Sequence, residues 1–150
     1  MSETSYGDLA STQSVREPTR GDSIIVSEYD YAMQLSGHVL DKIKSAELKS
    51  HFMRSVKPGD VVWFATKSNK LMRSKIVGSA IFVGNKRICE ETFDHFVNLH
   101  RISNINNIKK HGKLKWNVMW LFKNAVPCVP REYKMPKQGS VCRRIFKGWL

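Results

Sequence analysis

The chain has 150 residues with 41% hydrophobic side chains, which is enough for one globular domain with an ordinary core. It carries 25 Lys and Arg against 13 Asp and Glu, so its formal net charge is +12. A charge excess of this size repels itself in the compact state unless a polyanion neutralises it. Nucleic acid is therefore the first candidate partner, and an anionic membrane surface is the second.

The sequence lacks the signatures of several other protein classes. Its three cysteines are far apart and none forms a CxxC pair, which argues against a disulfide framework or a zinc site. Motifs of serine hydrolases, P-loop NTPases, zinc proteases and dinucleotide-binding enzymes are absent, so we expect no catalytic residue, metal or cofactor. No apolar run is long enough to cross a membrane, and the polar start does not resemble a signal peptide. We expect an intracellular protein, in the cytoplasm or nucleus; the sequence does not fix its oligomeric state.

The N-terminal part divides into a tail, a strand and a helical region. Residues 1–22 are rich in Ser, Thr and Gly, which predicts a disordered polar tail, and one folded domain is expected over residues 23–150. The stretch SIIVSEY, which opens this domain, predicts a strand. Gly37 is expected to break residues 30–56 into a short turn or helix and then a longer helix. Apolar side chains in this region recur with a 3-to-4 spacing that predicts a helical face. They are Leu35, Val39, Ile43 and Ala46.

Strands dominate the rest of the chain. They are expected at 61–66, 76–83, 114–122 and 140–146, with a helix at 90–99 whose first turn is acidic. In the third of these strands Trp116 and Trp120 share one face, and a core position is favoured over a ligand-binding one. The order of elements predicts an α+β fold, built on a small, curved, mostly antiparallel β-barrel with flanking helices.

Three basic clusters are expected to contact nucleic acid. The first lies in the loop between the strands at 61–66 and 76–83, and no acid interrupts it. It consists of Lys67, Lys70, Arg73 and Lys75. The second contains Lys109 and Lys110. The third is interleaved with aromatic residues near the C-terminus, a pattern that suits single-stranded nucleic acid. It consists of Arg131, Lys134, Lys137, Arg143 and Arg144.

Four motifs, in this order, resemble the PUA-like superfamily and within it the YTH, EVE and ASCH branches. They are IIVSEYDYAMQL, KPGDVVWFATK, KIVGSAIFVG and KWNVMWLFKNAVPCVP. The resemblance implies a small β-barrel with flanking helices that binds RNA or modified bases. It does not imply the full aromatic cage of YTH domains, because no Trp lies between Ser23 and Val62. Near the position of the second cage Trp, the chain has His111 and Gly112.

A base pocket is predicted beside the strand that contains Ser79. The resemblance implies a pocket at this strand, and the small residues Gly78-Ser79-Ala80 leave room for a ligand or for another backbone. Trp63 on the neighbouring strand offers an aromatic surface, and His111 and Trp116 complete the predicted set.

The favoured function is a non-enzymatic RNA-binding domain, with RNA favoured over DNA. Two alternatives stay open at this point. One is a modified-base reader that acts on DNA, as the EVE branch suggests, and the other is a basic interaction module that docks on an acidic protein partner.

Overall fold

The computed structural model describes residues 17–134, 142–145 and 150. Its strands are β1 (Ser23–Ser27), β2 (Ala46–Lys49), β3 (Val61–Thr66), β4 (Lys75–Arg87), β5 (Lys109–Lys110), β6 (Lys113–Leu114), β7 (Val118–Glu132) and β8 (Cys142–Arg144). Its α-helices are α1 (Tyr29–Leu35), α2 (Glu90–Phe93) and α3 (Val97–His100). Short 3-10 helices lie at Leu40–Lys42, Asp94–Phe96 and Ile105–Ile108.

The strands form a six-stranded sheet in the order β2-β7-β4-β3-β1-β8, and β5 pairs with β6 as a separate hairpin. β1 runs parallel to β3, and all the other neighbouring pairs in this sheet are antiparallel. The long pair β4 and β7 changes register at three places, and such bulges bend and twist a sheet. The predicted α+β fold around a curved, mostly antiparallel sheet is confirmed.

The longer helix predicted after Gly37 is the largest error of the sequence analysis, whereas the short helix and the break at Gly37 are present. α1 ends at Leu35, and the chain turns at Gly37, whose φ of +83° suits a residue without a side chain. After a short 3-10 helix the chain forms β2, which pairs with the first half of β7. Backbone pairing along this sheet edge therefore overrides a helical spacing of apolar residues.

The two faces of the sheet belong to different hydrophobic clusters. Ile25, Phe64 and Phe122 lie in the larger cluster, together with Trp120. Trp63 packs on the opposite face with neighbours that include Ile24, since adjacent residues of a strand point to opposite sides. A third cluster joins β2 to α2 and α3, and Trp116 packs against it. Trp116 precedes β7 and does not share a strand face with Trp120, contrary to the prediction.

Gly78 allows the end of α1 to approach the sheet closely. A Cβ atom at this position would lie 2.3 Å from the Cβ of Ser36 and 2.7 Å from the carbonyl oxygen of Val126. The Ser36 hydroxyl in turn donates a hydrogen bond to the carbonyl of Ala32, which fixes the end of the helix. The space at Gly78 is therefore occupied by the Ser36 side chain and by the backbone of Val126 and Pro127, which leaves no room there for a ligand.

The segment directly before residue 23 contacts the folded domain. Gly21 and Asp22 exchange backbone hydrogen bonds with Ile145, next to β8. The Asp22 carboxylate also accepts a hydrogen bond of 3.0 Å from Nε1 of Trp63. Residues 17–22 thus pack on the domain, whereas the first sixteen residues of the predicted tail lie outside the described residues.

Candidate functional site

A cleft of about 350 Å³ opens where β1 ends and α1 begins. This volume is in the range of small-ligand sites, which is about 300–1,000 Å³. Three elements supply its polar and aromatic groups: Ser27 ends β1, Tyr31 belongs to α1, and Glu47 lies on the edge strand β2. Trp116 closes the cleft from the segment that leads into β7. We call this cleft the edge cleft.

A buried ionic cluster forms the floor of the edge cleft. Oε2 of Glu47 accepts a hydrogen bond of 2.7 Å from the Ser27 hydroxyl, and its Oε1 lies 3.8 Å from Nζ of Lys44. The Lys44 ammonium also donates to the carbonyl of His100 and lies 4.5 Å from the centre of the Tyr31 ring. The three polar residues Ser27, Lys44 and Glu47 are at most 6% exposed. Each therefore needs a hydrogen bond or an ion pair with the others to offset the loss of its hydration.

Burial shifts the pKa values of Lys44 and of the neighbouring Tyr31. Desolvation lowers the pKa of Lys44 to about 8, although Glu47 acts in the opposite direction. Burial also raises the pKa of the Tyr31 phenol, with a smaller contribution from the Glu47 carboxylate. The cleft therefore presents a neutral phenol and a carboxylate that retains acceptor capacity beyond its bonds to Ser27 and Lys44.

Aromatic side chains and lysines define the walls and the rim of the edge cleft. Tyr31 and Trp116 are half-buried, so each keeps part of its ring accessible. Lys49 and the exposed Lys67 stand at the rim with Glu28, whose carboxylate is 3.1 Å from Nζ of Lys67. An incoming phosphate can compete for Lys67, because an ion pair between exposed side chains contributes little to stability.

The predicted base-pocket residues do not come together in one cavity. Trp116 lines the edge cleft, whereas Trp63 lines a second cavity of about 330 Å³ that also includes Pro127 and Arg131. Ser79 pairs directly with Trp63 across β3 and β4, so it lies on the Trp63 face. His111 is exposed in the turn of the β5-β6 hairpin with a φ of +55°. Only Trp116 of the predicted four reaches the edge cleft.

The predicted phosphate contacts fall into two groups among the described residues. Several are exposed without contact to an acid in the part of the chain that the structure describes, namely Lys70, Arg73, Lys110 and Lys134. Others are engaged in the fold: Lys67 pairs with Glu28, Lys109 with Glu90, Arg131 with Glu17, and Lys75 lies opposite Glu132 in the ladder.

Arg144 has a structural position that the sequence did not indicate. Its guanidinium donates to the carbonyl of Gly21 at 3.0 Å and to the carbonyl of Ser55 at 2.7 Å, and so ties β8 to two other segments. Lys137 and the side chain of Arg143 lie outside the described residues.

Sequence reasoning missed Tyr31, Lys44 and Glu47. One signal was available: Lys44 and Glu47 are the charged residues in a stretch, IKSAEL, that otherwise reads as buried. A charge in such a stretch needs a partner, and the partner here stands three residues away. Their placement beside Ser27 could not be inferred, because it depends on the pairing of β2 with β7.

Two further findings concern the described residues alone. No helix among them is long and apolar enough to cross a membrane. Within the same ranges, no group of three or more His, Cys, Asp or Glu side chains is arranged to hold a metal ion.

Comparisons with known proteins identify the fold. No protein-family model matches the sequence, and no curated protein matches it. Among solved structures, the chain is similar to an ASCH protein from Zymomonas mobilis, with a TM-score of 0.61 and 13% sequence identity over 86% of this chain and 90% of that one. Two single-substitution variants of that protein match with a TM-score of 0.56 at 12% and 14% identity, covering 86% and 88% of this chain and 93% of each of theirs.

The likeness shows that the chain shares the fold of the ASCH protein, which agrees with the predicted PUA-like architecture. At this level of identity it establishes the architecture and leaves the ligand to be inferred from the site.

Proposed function

We propose that this protein is a non-enzymatic binding domain for single-stranded nucleic acid, RNA in the first place, and that the edge cleft takes up one base. The observation that carries the proposal is the composition of the cleft. Half-buried aromatic rings, Tyr31 and Trp116, stand beside a buried carboxylate, Glu47, with lysines at the rim. Rings that stack on a base, a polar group that bonds its edge and cations for the phosphates are the parts that such a site requires.

Each part of the cleft has a distinct role in this proposal. Trp116 supplies the stacking surface, which contributes roughly 1–3 kcal/mol per base in comparable sites. Glu47 accepts a hydrogen bond from an amino or imino group on the base edge, because its ionised form can only accept. Lys49 and Lys67 contact the flanking phosphates. The net charge of +12 supplies the long-range attraction of the strand to the protein.

The preference for RNA rests on the resemblance of the sequence to RNA-binding PUA-like domains. The proposal that the cleft binds its ligand and does not catalyse a reaction rests on the geometry of the ionic cluster. Glu47 is held by Ser27 and Lys44, and Lys44 donates to the His100 carbonyl, so these groups already have partners within the fold.

Equilibrium titrations with single- and double-stranded RNA and DNA of one sequence, at two salt concentrations, test the proposal. We expect single-stranded RNA to bind most tightly, with an affinity that falls as salt rises. Trp116→Ala should weaken binding by roughly tenfold or more. Tyr29→Ala is the control, because Tyr29 is a 49% exposed aromatic residue of the same helix as Tyr31 that does not line the edge cleft. Equal losses in both variants, or no binding of any nucleic acid, would contradict the proposal.

The same titrations decide between the proposal and its alternatives. Tighter binding of DNA that carries a modified base would favour the DNA reader. Capture of an acidic protein that short nucleic acids do not displace would favour the protein-docking module.

A second candidate function is an enzyme that hydrolyses RNA, and one observation favours it. An amine with a lowered pKa, a carboxylate and a hydroxyl meet at the floor of a cleft, and such clusters are frequent in active sites. Incubation with end-labelled RNA separates the two candidates. Cleavage that is lost in Glu47→Gln while RNA binding persists would establish the enzyme and contradict the binding domain.

A further inference from the structure

The loop between β3 and β4 is a rigid projection rather than a slack connection. Oδ1 of Asn69 accepts hydrogen bonds of 2.8 Å from the backbone N–H groups of Leu71 and Met72, and its own N–H donates to the Met72 carbonyl at 2.8 Å. The base of the loop is closed by Thr66, which bonds to Ser74 and to the backbone of Lys75. A side chain of Asn that accepts from the backbone two and three residues ahead fixes a turn.

An apolar side chain stands at the tip of this projection. Every residue from 67 to 73 is exposed to solvent. Among them, Leu71 is 93% exposed and Met72 is 41% exposed. Lys70 precedes the pair and Arg73 follows it, without an acid in the loop. An exposed leucine between two cations lowers solubility. It does not stabilise the fold, since Leu71 packs on no part of it.

The loop is continuous with the edge cleft. Lys67, at its start, lines the rim of the cleft, and its backbone N–H donates to the carbonyl of Ser27 on the cleft floor at 2.9 Å. A nucleic-acid strand that places one base in the cleft and its next phosphate on Lys67 therefore runs toward the tip of the loop.

We infer that the loop of residues 67–74 is a wedge: Lys70 and Arg73 bind phosphates, and Leu71 inserts between two neighbouring bases close to the one held in the cleft. Apolar side chains on basic loops open base steps in this manner, and the loss of stacking is offset by the added contacts. The inference rests on the proposed function and specifies it further, because it requires a strand with stacked bases as the ligand.

An anionic membrane is the competing partner for a basic loop with an apolar tip. One inserted leucine gives only weak membrane binding, and stable anchoring to a bilayer requires a second strong signal. A wedge needs a single side chain held rigidly, and that is what Asn69 provides. The observations therefore favour the nucleic acid.

The test uses single-stranded RNA oligonucleotides with 2-aminopurine at successive positions, because the fluorescence of this base rises when it loses its stacking neighbour. With the wild-type chain we expect an increase at one or two adjacent positions. Leu71→Ser should abolish this increase and weaken binding by roughly tenfold, the value of an apolar side chain that is only partly buried. The salt dependence of binding should stay unchanged in this variant, because no phosphate contact is removed.

Two controls make the result specific. Leu40→Ser removes another leucine that is 84% exposed, outside the loop, and should leave fluorescence and affinity unchanged. Leu71→Met keeps an apolar tip and should retain the fluorescence increase.

Three outcomes would overturn the wedge. RNA binding without unstacking at any position leaves the proposed function intact and removes the wedge. An increase that persists in Leu71→Ser also removes it. Sedimentation with vesicles of phosphatidylcholine and phosphatidylserine that depends on Leu71 would assign the loop to a membrane. Absence of RNA binding altogether, by contrast, is a failure of the proposed function.

Discussion

Replacing Lys44 with Met should remove a pH dependence of stability that the wild-type protein shows above neutral pH. The Lys44 side chain is completely buried, and burial lowers its pKa from 10.5 to about 8. In the unfolded chain the amine recovers its ordinary pKa. Between these two values the unfolded chain binds more protons than the folded one, so the free energy of unfolding rises with pH across this window.

The size of the effect follows from the shift in pKa. With 10.5 in the unfolded chain and about 8 in the folded one, raising the pH from about 7.5 to about 9.5 adds roughly 2 kcal/mol to the free energy of unfolding. At lower pH both states hold the proton, and the contribution is constant. Tyr31 acts in the opposite direction at higher pH, because burial raises its pKa above 10.0 and the unfolded chain loses the phenol proton first. The pH interval in which the Lys44 effect can be measured alone therefore ends near the ordinary tyrosine pKa of 10.0.

Urea unfolding followed by circular dichroism at the two pH values measures this effect. We expect the wild type to gain roughly 2 kcal/mol relative to Lys44→Met over this interval, whatever the difference between them at the lower pH. Lys70→Met serves as the control, because Lys70 is an exposed lysine outside the ionic cluster and is not among the groups that shift the pKa of Lys44. An identical pH dependence in the wild type and Lys44→Met would refute the reasoning.

Three further predictions concern the fold and the basic surface. Gly78→Ala should destabilise the protein by more than about 3 kcal/mol in urea unfolding, since its Cβ would lie 2.3 Å from the Cβ of Ser36; Ser79→Ala should be nearly neutral, and equal effects would contradict the close approach. Arg144→Ala should lower stability by about 1 kcal/mol through its two bonds to backbone carbonyls; an unchanged melting temperature would leave Arg144 free for phosphate. Changing Lys67, Lys70 and Arg73 together to Ala should flatten the salt dependence of RNA binding by roughly 0.7–0.9 per lost phosphate contact, and an unchanged slope would remove the loop from the interface.

The sequence was most informative where side chains alone determine the local structure. β3 has the predicted bounds, because Val61-Val62-Trp63-Phe64 favours a pleated, half-buried surface and Pro58-Gly59 sets the turn before it. β4 was placed correctly but runs further than expected, to 13 residues. The strand predicted at 114–122 begins only at Val118 and continues to Glu132, because bulges let both strands extend past irregular positions.

β2 was missed because its residues favour another structure in isolation. Ala46, Glu47, Leu48 and Lys49 are all good helix formers. Pairing with β7, from Ala46 opposite Leu121 to Lys49 opposite Val118, decides their conformation, and these partners lie 69 to 75 residues away in the chain. The edge cleft depends on the same pairing, so the error in the secondary structure and the missing site residues have one cause.

The predicted site was displaced for a related reason. Gly78 and Trp63 have the residue types of an open aromatic pocket, yet Ser36 fills the space over Gly78 and Asp22 binds the indole of Trp63. Both partners come from segments that no local pattern connects to β3 or β4. Trp116 does line the edge cleft, although its alternation with Trp120 had favoured a core position.

The central claim is that the edge cleft takes up a base, and NMR of the indole N–H groups tests it most directly. During titration with single-stranded RNA, we expect the Trp116 resonance to shift and saturate together with the backbone resonances of Tyr31 and Glu47. The indole N–H groups of Trp63 and Trp120 donate to Asp22 and to the His51 carbonyl inside the fold, so their resonances should stay in place. Saturating RNA that moves the Trp63 resonance and leaves Trp116 unchanged would contradict the account.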